Sequence, residues 1–106
     1  MQEIKFRGHW NQKWVYGGIE IRHDGDILIG GNGVWSVVDE KTVGQFTGLF
    51  DKNGKEVWEG DIYNYQGEIG VFESIMDFYY SELIRYRVEE GEVIGNIHEH
   101  PHLLLP

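Results

Sequence analysis

Three histidines alternate near the end of the chain, His98, His100 and His102 in the run HEHPH. On an extended segment, residues two apart point to the same side. With Glu99 beside them, their imidazoles could hold Zn²⁺ or Ni²⁺. His23 stands next to Asp24 and near Asp26, a pairing that could make a general base or the corner of a metal site. Glu59 and Asp61 flank Gly60 and could share a proton or contribute to a Ca²⁺ site. Each group has a plainer reading. Terminal histidines are usually solvated, and a tight hairpin tip offers no pocket to perturb His23 or its neighbours. Calcium takes about six or more oxygens, and only two candidate carboxylates lie locally. Asp61 is better suited to bonding backbone amides in a bend, with Glu59 facing water. The plainer readings lead to an expectation of no metal and no cofactor, with His98, His100 and His102 as the nearest approach to a metal site.

The common signatures of catalysis are missing as well. There is no Gly-x-Ser-x-Gly, no cysteine and no lysine-containing phosphate loop. Gly30-Gly31-Asn32-Gly33 could cradle a phosphate only if a helix followed it. The β-branched Val34, Val37 and Val38 follow instead, which favours a strand. A non-enzymatic protein is the resulting expectation, with a metal-dependent hydrolase using HEHPH or the Glu59 and Asp61 pair as the least favoured alternative.

Composition narrows the partners. With 106 residues, the chain has the length of one ordinary domain. Lacking cysteine, it fits a reducing compartment. No apolar run approaches the roughly 20 residues that span a bilayer, and the N-terminus lacks a signal-peptide core, so a soluble intracellular protein without membrane contact is expected. Eighteen acidic against nine basic side chains give a net charge of -9, which opposes the counterion release that drives most nucleic-acid binding. Lys5, Arg7 and Lys13, near Trp10 and Trp14, could still form a local patch for phosphates and stacked bases. The acidic excess could also imitate nucleic acid toward a basic partner, although solubility alone explains it. Four indoles, Trp10, Trp14, Trp35 and Trp58, are many for so short a chain. Any left exposed would mark a binding surface or a subunit interface.

The elements that would position these residues are short. Fifteen glycines and two prolines punctuate the chain, the pattern of many strands joined by tight turns. Residues 18–23 alternate apolar and polar up to Asp24-Gly25, which predicts a two-residue hairpin turn with Ile21 opposite Leu28 and His23 opposite Asp26. Gln45 to Phe50 and Lys55 to Trp58 read as strands around the turn Asp51-Lys52-Asn53-Gly54. A bend at Glu59-Gly60-Asp61 then leads into a strand over residues 62–65, with Gln66-Gly67 turning the chain into its return strand. That succession resembles a small SH3-like barrel. Ser74 to Tyr86 is ambiguous, read here as strand or a short helical turn. Arg85 to Val88 reads as a strand, and His98 to Leu104 as one helical turn, with Leu103, Leu104 and Leu105 packing on a core or on another subunit.

Three blocks, EIKFRGHW at the start, TVGQFTGLFDKNGKEVWEGDIYNY in the middle and EVIGNIHEHPHLL at the end, resemble the YopX family of phage and prophage proteins. The central block is the most specific, with Gln45, Thr47-Gly48, Asp51, Asn53-Gly54 and Glu59-Gly60-Asp61. The resemblance implies a small β-rich protein of a mobile element, at work in bacterial cytoplasm, and it carries over no catalytic residues.

The sequence thus predicts a mainly β protein, α+β if one or two helical turns form. Small antiparallel sheets or a barrel are expected, with an SH3-like C-terminal half. One domain over residues 1–106 is expected, divisible into β subdomains near 1–58 and 59–106. The expected function is binding to a host or phage protein together with homo-oligomer formation, through Gln45, Trp58 and Asp61 and through Trp10 and Trp14. A nucleic-acid-associated module is the alternative, and the acidic charge weighs against it.

Overall fold

The computed structural model describes residues 3–74 and 82–105, which fall into two compact units, Met1–Phe46 and Thr47–Pro106. Both are built of antiparallel strands. The first unit contains β1 (Phe6–Trp10), β2 (Lys13–Ile21), β3 (Ile27–Gly31), β4 (Val34–Val37) and the first part of β5 (Asp39–Phe50), in the order β4-β3-β2-β1-β5. Residues 47–50 of β5 continue into the second unit, where they pair with β6 (Glu56–Trp58). A separate sheet there runs β8-β7-β9, with β7 at Asp61–Tyr65, β8 at Glu68–Val71 and β9 at Glu92–Asn96. Helix α1 (Glu82–Glu90) precedes β9, and a 3-10 turn (Pro101–Leu104) ends the described chain.

Turn chemistry sets the registers. Two-residue hairpins whose central residues both take positive φ match the right-handed twist of the strands they join. Three such turns occur, at Asn11-Gln12, Asn32-Gly33 and Gln66-Gly67. The Asp24-Gly25 hairpin is different. Ile21 pairs with Ile27 and Glu20 with Leu28, one residue away from the predicted register. The Gly25 amide bonds to the Arg22 carbonyl at 2.9 Å, the Asp26 amide bonds to Asp24 Oδ1 at 2.9 Å, and Gly25 takes φ 95°. The loop therefore has three residues, a type I turn closed by a left-handed glycine, because the Asp24 side chain supplies the local acceptor. Lys52-Asn53-Gly54 repeats this design.

In the first unit, Leu28, Ile29, Val38 and Phe46 are buried. Gly8 lets β1 lie close to them, since a Cβ there would sit 3.0 Å from Val38 Cβ and 3.1 Å from Ile29 Cδ1. The second unit has its own core of Leu49, Val57, Tyr63, Phe72 and Val88, with Tyr65, Ile84 and Val93 packed against it.

The polar frame of the second unit centres on Asp51, which is buried. Its Oδ1 accepts from the amides of Asn53 and Lys55, each at 2.9 Å, and its Oδ2 accepts from the amide of Val93 at 2.9 Å. The Lys52 amide donates to the Gly91 carbonyl at 3.0 Å, beside the same contact. One carboxylate thereby shapes the β5–β6 turn and ties β9 to it.

Two expectations are corrected. Among the described residues no barrel closes: the C-terminal part is a three-stranded sheet with a helix packed on it, not an SH3-like barrel. Arg85 to Val88 is helical rather than extended, because Ile84 and Val88, four residues apart, fall on one helical face and reach the core together. Glu82 in its first turn and Arg87 in its last suit the helix dipole. Residues 75–81 of the ambiguous Ser74 to Tyr86 stretch lie outside the described residues. The terminal helical turn is present, but Leu104 and Leu105 face solvent within the chain.

Replacing Asp51 by Ala strands three amides at once, so Asp51→Ala should lower unfolding free energy by about 3 kcal/mol. Asp24→Ala, at an exposed tip, should cost about 0.5 kcal/mol or less. Urea denaturation of the two variants checks the contrast, and equal costs would refute the role given to Asp51.

Candidate functional site

The β1–β2 hairpin separates the basic and aromatic residues onto two faces. Arg7 pairs with Tyr16 and His9 with Trp14 in the ladder, whereas Trp10 pairs with Lys13. Alternation along each strand then puts Arg7, His9, Trp14 and Tyr16 on one face and Trp10 with Lys13 on the other. The Arg7 guanidinium is buried and lies 4.1 Å from the Trp14 ring centre, and the His9 ring sits 4.0 Å from the same indole. Lys5 Nζ lies 4.7 Å over Phe46 and 3.4 Å from Glu3. These cations engage aromatic faces within the unit. They do not form a single basic patch.

One open edge of the first unit is β4. Among the described residues, strand β4 pairs with β3 on one side and ends the sheet on the other. It carries no charge, and Val34, Trp35 and Val37 are 74%, 41% and 45% exposed. Trp35 lies opposite Gly30, which in turn lies opposite Gly18. A Cβ on Gly18 would touch the far edge of the indole at 3.6 Å, so these glycines leave room for the ring to lie along the sheet.

The residues first expected to form a surface are divided. Trp58 and Asp61 are 4% and 3% exposed, which takes them off the surface. Asp61 Oδ2 accepts from the Trp58 amide at 2.7 Å, while the Gly60 amide donates to the Phe72 carbonyl at 2.7 Å and the Phe72 amide to the Asp61 carbonyl at 2.9 Å. The carboxylate therefore closes the bend. Gln45, half-buried, pairs with Phe6 across β1 and β5. Trp10 remains exposed, and Trp14 is half-buried under Arg7.

The histidine run is not extended, yet the rings of His100 and His102 still meet edge-on, their centres 6.1 Å apart. Asn96 Oδ1 accepts from the amides of His98 and Glu99 at 3.0 and 2.9 Å, and its Nδ2 donates to Glu99 at 2.8 Å. His100 Nδ1 accepts from the Asn96 amide at 3.2 Å, which occupies one of its two ligating nitrogens. Among the described residues no group of three or more His, Asp or Glu side chains is placed to hold a metal ion. The His23, Asp24 and Asp26 trio sits on the exposed hairpin tip described above.

Tyr65 meets Tyr86 edge-on, ring centres 5.8 Å apart. Its hydroxyl is held above the ordinary tyrosine value of 10.0, first by its hydrogen bond with Tyr86 and then by burial.

A family model described as YopX protein matches residues 25–105, which is most of the chain and includes both the central and the closing sequence blocks. The chain belongs to the YopX family. The YopX match begins after EIKFRGHW, so the opening block stands on its resemblance alone. Comparison with curated proteins and with solved structures found no match. Among the described residues no helix is long and apolar enough to cross a membrane.

The exposed β4 edge was not legible as an edge, because a strand's position in a sheet depends on pairing partners far along the chain; the surplus of indoles, Trp35 among them, was the available signal. For the YopX tyrosine pair the sign is definite. The unfolded chain surrenders the Tyr65 proton first, so the pair contributes stability that is complete below 10.0 and is lost as pH rises through the folded value. Tyr86→Phe should therefore flatten the alkaline fall in urea midpoint relative to wild type. Identical alkaline slopes for both proteins would contradict the assignment.

Proposed function

We propose that this YopX-family chain is a non-enzymatic phage or prophage accessory protein of the bacterial cytoplasm that works by binding protein, beginning with a second copy of itself. The observation that carries this reading is the uncharged, apolar edge of β4, with Val34, Trp35 and Val37 exposed. An unpaired strand edge offers a row of backbone donors and acceptors to another strand. An identical edge in antiparallel orientation satisfies them through a two-fold interface.

Charge supports the choice of a second copy. Residues 1–46 hold five of the nine Lys and Arg and six of the eighteen Asp and Glu, for a net of -1; residues 47–106 hold four and twelve, for a net of -8. Two copies of an acidic protein repel each other least where they are nearly neutral, and the apolar edge lies in that unit. The split of Lys13 and Trp10 from Arg7 and Trp14 onto opposite faces weighs against the nucleic-acid alternative.

Light scattering over a concentration series is the test. Wild type should show a dimer whose fraction rises with concentration, and Val34→Lys/Val37→Lys should be monomeric with an unchanged circular dichroism spectrum. A strict monomer for wild type at about millimolar concentration, where even weak pairing shows, would end this reading.

A further inference from the structure

Among the described residues, helix α1 has a second face that is largely open to solvent. Ile84 and Val88 point into the core. At about 100° per residue, Glu82, Leu83, Tyr86, Glu89 and Glu90 lie together on the opposite arc. Leu83 and Tyr86 are 58% and 54% exposed, so two apolar side chains stand among three carboxylates. The two cations of the helix are already paired. Arg85 bonds Glu89 at 2.7 Å, and Arg87 bonds Glu68 on β8 at 3.1 Å.

We propose that this face docks a basic, apolar segment of a protein partner, with one or two aliphatic or aromatic anchors over Leu83 and Tyr86 and with Lys or Arg side chains toward Glu82 and Glu90. Charge selects the occupant. The unit that carries α1 has a net charge of -8, by the count of residues 47–106 given above. Nucleic acid and an anionic membrane surface are repelled by it, and so is the same face of a second copy. A cationic polypeptide is attracted, and the exposed Leu83 and Tyr86 add the apolar contact that separates a docking face from a merely solvated one. Tyr86 is already oriented by its edge-on packing against Tyr65, so less side-chain freedom is lost when a partner covers it. The face lies on different residues from the β4 edge and does not depend on dimer formation.

The full chain, labelled with ¹⁵N, can be titrated at about 150 mM salt, where surface charges are largely screened beyond ~8 Å, with a synthetic amphipathic Lys/Leu peptide and with an oligolysine of equal charge. The amphipathic peptide should shift the amides of residues 82–90 most, led by Leu83, Tyr86 and Glu90, and should bind about tenfold or more tightly than oligolysine. Leu83→Ser and Glu90→Lys should each weaken it by about tenfold, Glu20→Lys in the first unit should leave it unchanged, and the monomeric Val34→Lys/Val37→Lys chain should bind it as wild type does. Shifts centred elsewhere, or equal binding of both peptides spread over all the acidic residues of the second unit, would overturn the proposal. Retained binding in Leu83→Ser with unchanged circular dichroism would do the same.

Discussion

The carboxylate of Asp51 is the constraint on which the second unit depends. It is buried, and a buried carboxylate is tolerated only when donors surround it. Here the donors are backbone amides from the β5–β6 turn and from Val93, more than forty residues away along the chain. The hydrogen bond between the Lys52 amide and the Gly91 carbonyl lies alongside. Gly91 lets the chain pass close to the end of α1 and to β7, since a Cβ there would come within 2.6 Å of the carbonyl oxygens of Arg87 and Asn64. Helix α1 therefore ends where the turn needs β9 to begin. Asp61 and Asn96 repeat the principle on a smaller scale, each spending its side chain on the backbone of a bend.

The same use of polar side chains bears on metal binding: among the described residues of a chain with eighteen acidic residues and five histidines, no group of three or more is placed to hold a metal ion. The buried carboxylates of Asp51 and Asp61 accept from backbone amides. His100, the central residue of the HEHPH run, is an acceptor for Asn96. Residue types that make active sites also make turns, and in a small protein of short strands the turns take them.

Much of this was readable in the sequence, for reasons that differ by element. Gln66-Gly67 and Asn53-Gly54 announce their turns because the glycine requirement is local. Asp61 was legible as a bend residue for the same reason. The Asp24-Gly25 pair misleads by one residue because it fits both a two-residue and a three-residue loop, and only the bond from the Asp26 amide to the Asp24 carboxylate selects the latter. Asn11-Gln12 forms the left-handed pair with no glycine to signal it. Helix α1 was obscured because its apolar positions include the outward Leu83 and Tyr86, which blur the helical period that Ile84 and Val88 alone would show. The enclosure of Trp58 was beyond local pattern altogether, since it depends on the packing of distant strands.

The four indoles end in graded surroundings, Trp58 enclosed, Trp14 half-buried beneath a guanidinium, and Trp10 and Trp35 open to water. That grading divides the intrinsic fluorescence of the chain. Trp58 emits from an apolar interior at shorter wavelength, out of reach of aqueous quenchers, and reports on the second unit. Trp10 and Trp35 emit at longer wavelength from the first unit and are accessible to collisional quenching. The chain thus carries separate optical signals for its two units without any added label.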